Sequence, residues 1–252
     1  MFNQLVVGVK SYYQALIFVL SNKLWGYFAY PIVVGLLLFY FIISGSFLLA
    51  ESIVPIITGW LTEYASTDIA WLGYVLSGVS WALGYSIKIV VIFILATMSK
   101  YITLIVMSPI MALLSEKTEE IVLNKKFTFS ISQLLSDIVR GVLLVIRNSI
   151  IEFGLIILCF FIPLPFLTAP FLLILSYYFF GFSMLDYYFE RQRLDRKQSV
   201  AAVRKLKGLA IANGAVFAWI FAIPIVGVII VSVLSPVAAT LAVIELNNKG
   251  NG

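Results

Sequence analysis

The chain has 252 residues, of which 62% are hydrophobic and 12% charged, with a mean hydropathy of +1.06 and a formal net charge of +5. A soluble domain carries about a quarter charged residues to cover its surface, so this composition points instead to an all-α integral membrane protein. The lone cysteine, Cys159, excludes an intramolecular disulfide, and the lack of histidine excludes His-dependent triads and the commoner zinc sites.

Neither a G-x-x-x-x-G-K-[ST] phosphate loop nor a G-x-G-x-x-G fingerprint occurs, so ATP hydrolysis by this chain is not expected. Acids, nucleophiles and metal ligands do not converge in the sequence, so the reading includes no enzyme, cofactor or metal. No polar Pro/Gly-rich linker divides the chain, and residues 1–252 read as a single membrane domain.

The first residues do not read as a cleavable signal peptide, because the first lysine is Lys10 and Asn3, Gln4 and Gly8 interrupt the apolar residues before it. Phe2, Leu5, Val6, Val9, Tyr13, Leu16 and Leu20 recur at three- and four-residue spacing, with Asn3, Lys10 and Gln14 opposite. That periodicity predicts an amphipathic helix. It would lie in the membrane interface or form the first part of a helix packed on the bundle.

A first crossing is predicted over Leu24 to Ala50, a charge-free stretch with Pro31 near its start, where a missing amide hydrogen costs least. Glu51, Glu63 and Asp68 mark a polar excursion with no basic residue. The second crossing runs from Ile69 through Thr97, and its pattern continues past Lys100 with a kink expected at Pro109. Charge then accumulates from Glu116 to Lys126. Trp60, Trp71 and Tyr101 near the segment ends read as interfacial anchors.

Two later regions read as helical hairpins with proline-marked apolar tips. Asn148 to Ile162 precedes Pro163, Pro165 and Pro170, with a second arm over Phe171 to Leu185; Leu209 to Ile223 precedes Pro224, with a second arm reaching Ile244. A first arm of about 15 residues spans roughly 22 Å against a hydrocarbon core of about 30 Å. Re-entrant hairpins that penetrate only part of the bilayer are therefore favoured over full crossings, which would require local thinning.

Basic residues fall on one side. Lys100, Lys117, Lys125, Lys126, Arg140 and Arg147 are assigned to the middle loop. Arg191, Arg193, Arg196, Lys197, Arg204, Lys205 and Lys207 lie between the hairpins, and Lys10 and Lys23 join the same side. Positive-inside bias then places both termini and both loops in the cytoplasm. Beside a membrane arm the run from Arg191 to Lys207 is read as a topology determinant rather than a nucleic-acid site, and Asp195-x-x-Gln198 within it resembles a helix capping box.

Lys88 stands out among the apolar residues of the second crossing. With Lys100 at the cytoplasmic boundary it falls near mid-bilayer, where a charge costs at least about 2.5 kcal/mol. Ser77, Trp81, Tyr85 and Lys88 share one helical face, and Gly84 leaves room beside the lysine. The two readings are a cationic site on an anion path and a structural pair with Glu152. For Glu152 and Asp186, pairing with Arg147 or Arg191 is the simpler expectation.

The order of motifs resembles the CysZ-like sulfate permeases, which share a family with the etoposide-induced membrane proteins. Ser108-Pro109-Ile110 followed by Leu113, Leu114, Ser115, Glu116, Lys117 and Glu120 is similar to the family's A-P-F…L-x-E-K-x-E stretch. Phe161-Ile162-Pro163 matches its F-I-P, and Asp186-Tyr187 its D-Y-P with Tyr188 in place of the proline. Arg204, Ile223-Pro224 and Pro236-Val237-Ala238 recur at the family's spacing. The likeness covers roughly residues 20 to 245.

The resemblance implies a bacterial inner-membrane protein with two long crossing helices, hemi-penetrating hairpins and homo-oligomeric assembly. It also implies sulfate uptake without a nucleotide-binding partner. The family's anion-binding G-L-R-R element corresponds here to Lys23, Leu24, Trp25 and Gly26, so both arginines are missing. An arginine fork can bind two sulfate oxygens, whereas Lys23 is a point charge.

The functional expectation is an anion permease for sulfate or a related oxyanion, its partners being the bilayer, the inorganic anion and further copies of the chain. Asn22, Lys23 and Lys88 are the candidate anion-binding residues, helped by free amides at the start of the first crossing. A non-transporting scaffold of the same fold, acting in envelope assembly, is the alternative.

Overall fold

The computed structural model describes residues 1–65, 70–124, 131–160, 162, 165–223 and 225–250. Expectations for Asp68, Lys125, Lys126, Phe161, Pro163 and Pro224, and for the side chains of Trp60, Trp71 and Lys100, lie outside the described residues.

Among the described residues the chain is helical, with no strand. Helix α1 is Phe2–Ser21, and a 3-10 turn over Leu24–Phe28 leads into α2, Ala29–Ala65. Then follow α3, Ala70–Leu123; α4, Ile131–Phe160; α5, Pro165–Arg191; α6, Arg196–Lys205; α7, Lys207–Phe221; and α8, Val226–Gly250. Helices α1, α2, α4, α5 and α8 each contain a span long and apolar enough to cross a membrane. The chain is an all-α membrane protein.

The predicted boundaries shift where charge was mistaken for a loop. Glu51 and Glu63 lie within α2, and the segment assigned to a middle loop is helical up to Leu123 and again from Ile131. Helix α3, at 54 residues, extends about 81 Å at 1.5 Å per residue, far more than one bilayer. It continues through Pro109, whose missing amide hydrogen frees the Ile105 carbonyl, and the Ser108 hydroxyl donates to that carbonyl at 2.8 Å.

The first hairpin also differs from expectation. Its arms are the 30-residue α4 and the 27-residue α5, because the polar half of α4 (Gln133, Ser136, Asp137 and Arg140) continues the helix N-terminal to Asn148. The second hairpin keeps its short first arm, the 15-residue α7.

The described residues form two compact units. The first comprises residues 1–35 and 103–252 and contains most of the buried side chains. At its centre α5 and α7 run antiparallel with their backbones in contact: a side chain at Gly181 would overlap the Ala210 carbonyl, and one at Gly214 the Tyr177 carbonyl. Helix α8 lies in this core through small residues, with Ser232, Ser235, Ala238, Ala239, Thr240 and Ala242 fully buried. Small residues let membrane helices approach closely, which in lipid is a main source of helix association.

Helix α1 packs on the bundle through a face that the apolar stripe did not indicate. Gly8, Ser11, Tyr12, Ala15 and Val19 are buried, while Phe2 is 80% and Tyr13 67% exposed. A large apolar face turns outward when the surroundings are lipid, and the small residues turn inward. Gln4 secures the helix by donating to the Lys205 carbonyl at 3.0 Å and accepting from the Gly208 amide at 3.1 Å. Tyr12 donates to the Asn213 carbonyl at 3.0 Å.

The second unit, residues 36–102, is built from the remainder of α2 and the first part of α3. Gly84 of α3 lies against Val54 of α2, and a Cβ added there would stand 3.3 Å from the valine methyl. Many large apolar side chains of this unit are exposed, including Tyr40, Phe41, Leu48, Ile56 and Tyr74. Its hydroxyls bond back to their own helix, as Ser46 does to Ile42 and Thr58 to Val54, so they need no partner in lipid. Tyr101, read as an interfacial anchor, is buried.

Candidate functional site

Asn22 and Lys23 form the corner between α1 and the 3-10 turn. Asn22 ends α1, and its side-chain amide donates to the Phe18 carbonyl at 2.8 Å and to the Ser21 hydroxyl at 3.3 Å. Lys23 adopts a left-handed conformation, with φ 56°. Leu24 is buried beneath the corner, while Trp25 is 58% exposed and a Cβ added at Gly26 would meet open space. The expected free amides are reduced, because the 3-10 turn leads directly into α2 and the Ala29 amide already donates to the Gly26 carbonyl.

Lys88 lies in the second unit, half-buried on α3, with its ammonium 5.5 Å from the centroid of the Tyr85 ring. Trp81 lies beside Tyr85 with ring centroids 4.6 Å apart and planes tilted by 52°, so the predicted face of Trp81, Tyr85 and Lys88 is present as a continuous aromatic–cationic strip. A cation over an aromatic face is stabilised by the ring quadrupole without loss of its charge. Glu152 belongs to the first unit, where it is buried. Asn22 and Lys23 belong to the first unit and Lys88 to the second.

Two buried ionic networks in the first unit were not foreseen. Arg191 at the end of α5 donates to Glu119 of α3 at 3.1 Å and to the Ala112 carbonyl at 3.1 Å, and also bonds the Ser115 hydroxyl. Gln192 reaches the other Glu119 oxygen at 2.8 Å, and Ser115 exchanges a hydrogen bond with Thr240 of α8 at 2.6 Å. In the second network Arg140 of α4 meets Asp186 at 3.3 Å and Glu190 at 3.4 Å, and donates to the Leu194 carbonyl at 2.6 Å. Ser199 of α6 bonds Asp186 as well.

The partner expected for Asp186 is thereby corrected: it is Arg140, not Arg147 or Arg191, because α4 brings Arg140 beside α5 and α3 brings Glu119 to Arg191. Glu119 was detectable only as the continuation of the Met111–Ser115 face. Its partner stands 72 positions away, a distance that no local pattern crosses.

The networks determine what each cation can do. All three nitrogens of the Arg191 guanidinium donate to protein, whereas Arg140 donates through its two terminal nitrogens and its buried Nε lies 3.4 Å from Glu190 without a hydrogen bond. Both arginines are buried against carboxylates and fasten helices. Among the described residues, Lys23 and Lys88 carry no ion pair, and neither do Arg204 and Lys207.

Comparison with curated proteins gives no match. A family model described as "Sulfate transporter CysZ/Etoposide-induced protein 2.4" matches residues 11–232, which include α1 after its first turns, the ion pairs of both buried networks and the first arm of the second hairpin. With its apolar helices and this match over most of its length, the chain belongs to the Sulfate transporter CysZ/Etoposide-induced protein 2.4 family of multi-pass membrane proteins.

Proposed function

We propose that the protein is an inner-membrane permease for sulfate or related oxyanions, acting without ATP hydrolysis and with relaxed selectivity. The observation that carries this reading is the family match over residues 11–232. Lys88 supports it, as an ammonium among apolar side chains whose charge is balanced by an aromatic ring rather than by a carboxylate. Lys23, in an open corner beside Asn22, is a second candidate cation, in the first unit. Point charges attract oxyanions but select poorly among them, since recognition of a particular tetrahedral anion needs several oriented donors. Both termini and the basic segments lie in the cytoplasm on this reading, and the exposed apolar face of residues 36–102 meets lipid and further copies of the chain.

The test is radiolabelled sulfate influx into proteoliposomes with a panel of competing oxyanions. Influx should exceed that of empty vesicles and be inhibited by several oxyanions. Lys88→Ala should lower it several-fold while thermal stability changes by less than about 1 kcal/mol, the worth of an exposed cation–π contact. Unchanged flux in Lys88→Ala would remove Lys88 from the path.

Trp25 and Gly26, standing in the place of the two arginines, favour a second reading of the same fold as a non-transporting scaffold in envelope assembly. No flux of any oxyanion from a correctly folded preparation would establish that reading instead.

A further inference from the structure

A groove on the first unit combines an apolar wall with cations that the buried networks do not use. Phe171, Ile174, Leu175 and Tyr178 of α5 recur at positions i, i+3, i+4 and i+7, forming one stripe about 10 Å long. Ile211 of α7 lines the opposite side, and Arg204 of α6 and Lys207 of α7 complete the lining of a cavity of about 500 Å³. Phe171 and Ile174 are each 52% exposed, so the groove opens sideways.

Its charge lies at one end. The contacts of Gly181 with Ala210 and of Gly214 with Tyr177 fix α7 antiparallel to α5, which puts the start of α7, and Lys207 with it, at the Tyr178 end of the stripe. Arg204 and Lys207 are exposed and form no ion pair among the described residues, whereas Arg140 and Arg191 are paired with buried carboxylates. Two uncompensated cations at the head of an apolar, laterally open stripe complement an anion that carries a hydrocarbon tail. A small oxyanion would leave the stripe bare, and a neutral lipid would leave the charges unmet.

We propose that this groove is a binding site for an anionic phospholipid of the surrounding bilayer, with the phosphate between Arg204 and Lys207 and one acyl chain along Phe171, Ile174 and Leu175. The site is independent of the anion path and stands whether or not the protein transports. Charge attracts anionic headgroups to basic residues beside a membrane, and the stripe turns that general attraction into a defined seat.

The experiment is native mass spectrometry of the detergent-purified full chain with added phosphatidylglycerol or phosphatidylcholine of identical chains. Phosphatidylglycerol should be retained in preference, with one molecule per chain held most strongly. Arg204→Gln with Lys207→Gln should reduce that preference about 10- to 30-fold, taking each basic residue near a membrane surface at its ordinary worth. Arg196→Gln with Lys197→Gln, which removes the same charge from exposed positions of α6 outside the groove, should leave it intact.

Leu175→Trp, filling the groove, should displace the bound lipid with the cations still present. Inorganic phosphate at equal concentration should not compete. Equal loss in both charge-removing pairs, full competition by phosphate, or undiminished binding in Leu175→Trp would each overturn the proposal.

Discussion

Helices α2 and α8 are nearly equally apolar, yet they occupy opposite kinds of place. Of the most apolar window within Leu24–Ile56 only 11% is buried, whereas in Val226–Lys249 the share is 78%. Part of the difference lies in side-chain size, since α8 also buries Val231, Val233, Val237 and Val243. Helix α2 presents Phe39, Tyr40, Phe41, Phe47 and Leu48 outward, and α8 brings Ser232, Ser235, Ala238, Ala239, Thr240 and Ala242 into the core. In water a large apolar side chain is driven inside. In lipid that drive vanishes, and what gathers helices is close packing of small residues together with hydrogen bonds that have no competing solvent. Hydropathy therefore finds the membrane segments of this chain, and the run of small residues and valines in α8 marks the helix that enters the core.

The strongest way to break that comparison is to enlarge one glycine of each kind. Gly214→Leu forces a side chain into the Tyr177 carbonyl, which neither backbone can yield without separating α5 from α7. Overpacking of this kind costs at least about 3 kcal/mol, and loss of monodisperse folded protein in detergent is the expected outcome. Gly45→Leu on α2 meets nothing within 4 Å and should leave the unfolding temperature unchanged or slightly raised, since leucine is the better helix former. Thermal unfolding of the two variants side by side decides. Equal damage would mean that the α2 face is covered by another copy, and a shift in native mass would accompany it.

The ionic networks sharpen the comparison from the polar side. Arg191 and Glu119 have side-chain exposures of 5% and 1%, so removing one partner strands a buried charge. Glu119→Ala is expected to cost about 3–5 kcal/mol. Arg191→Met with Glu119→Leu should recover most of that loss, because an apolar pair of similar volume needs no compensation. A double-mutant cycle on thermal stability measures the coupling, and a coupling near zero would show that the pair is not what joins α3 to α5.

Some of this was legible in the sequence, and the legible parts are local. The capping box at Asp195 is present as expected, with the Gln198 amide donating to the aspartate at 2.7 Å and the Gln198 side chain accepting from the Asp195 amide at 2.9 Å, because four consecutive residues contain all its information. The Trp81–Tyr85–Lys88 face was legible for the same reason. What failed was any inference that treated charge as a marker of loops. Glu51, Glu63, Glu116 and Lys117 are all helical, since a helix that outruns the bilayer carries charge at no penalty. The partners of Asp186 and Glu119 were hidden because they come from other helices, 46 and 72 positions away, and no local pattern says which arginine arrives.

The two hairpins offer a smaller contrast. Helix α7 covers about 22 Å and α4 about 45 Å by their residue counts. In a Cys159→Ala background, Ile223→Cys at the end of the short arm should be labelled poorly by an impermeant maleimide added outside. Ile162→Cys, at the end of the longer arm, is the sharper probe of penetration: weak labelling there supports a re-entrant first hairpin as well, and strong labelling makes it a full crossing.

The smallest structural effect is expected at the corner between α1 and α2, where the functional effect should be clear. Trp25 is 58% exposed and a side chain at Gly26 would meet open space, so Trp25→Arg with Gly26→Arg should change stability by no more than about 0.5 kcal/mol. The two guanidinium groups would stand beside Lys23, whose left-handed backbone already turns the chain at this corner. Sulfate is doubly charged and strongly hydrated, so it binds well only where several oriented donors replace its water. Two arginines supply bidentate donors that one lysine cannot. Calorimetric titration at matched ionic strength should therefore show sulfate binding at least about tenfold tighter in the double variant than in the unmodified chain, the worth of one charge-assisted hydrogen bond. Tight, sulfate-selective binding by the unmodified chain would place the binding element away from Asn22 and Lys23. No gain in the variant would mean that the corner is not on the anion path at all, leaving Lys88 as the cation to pursue.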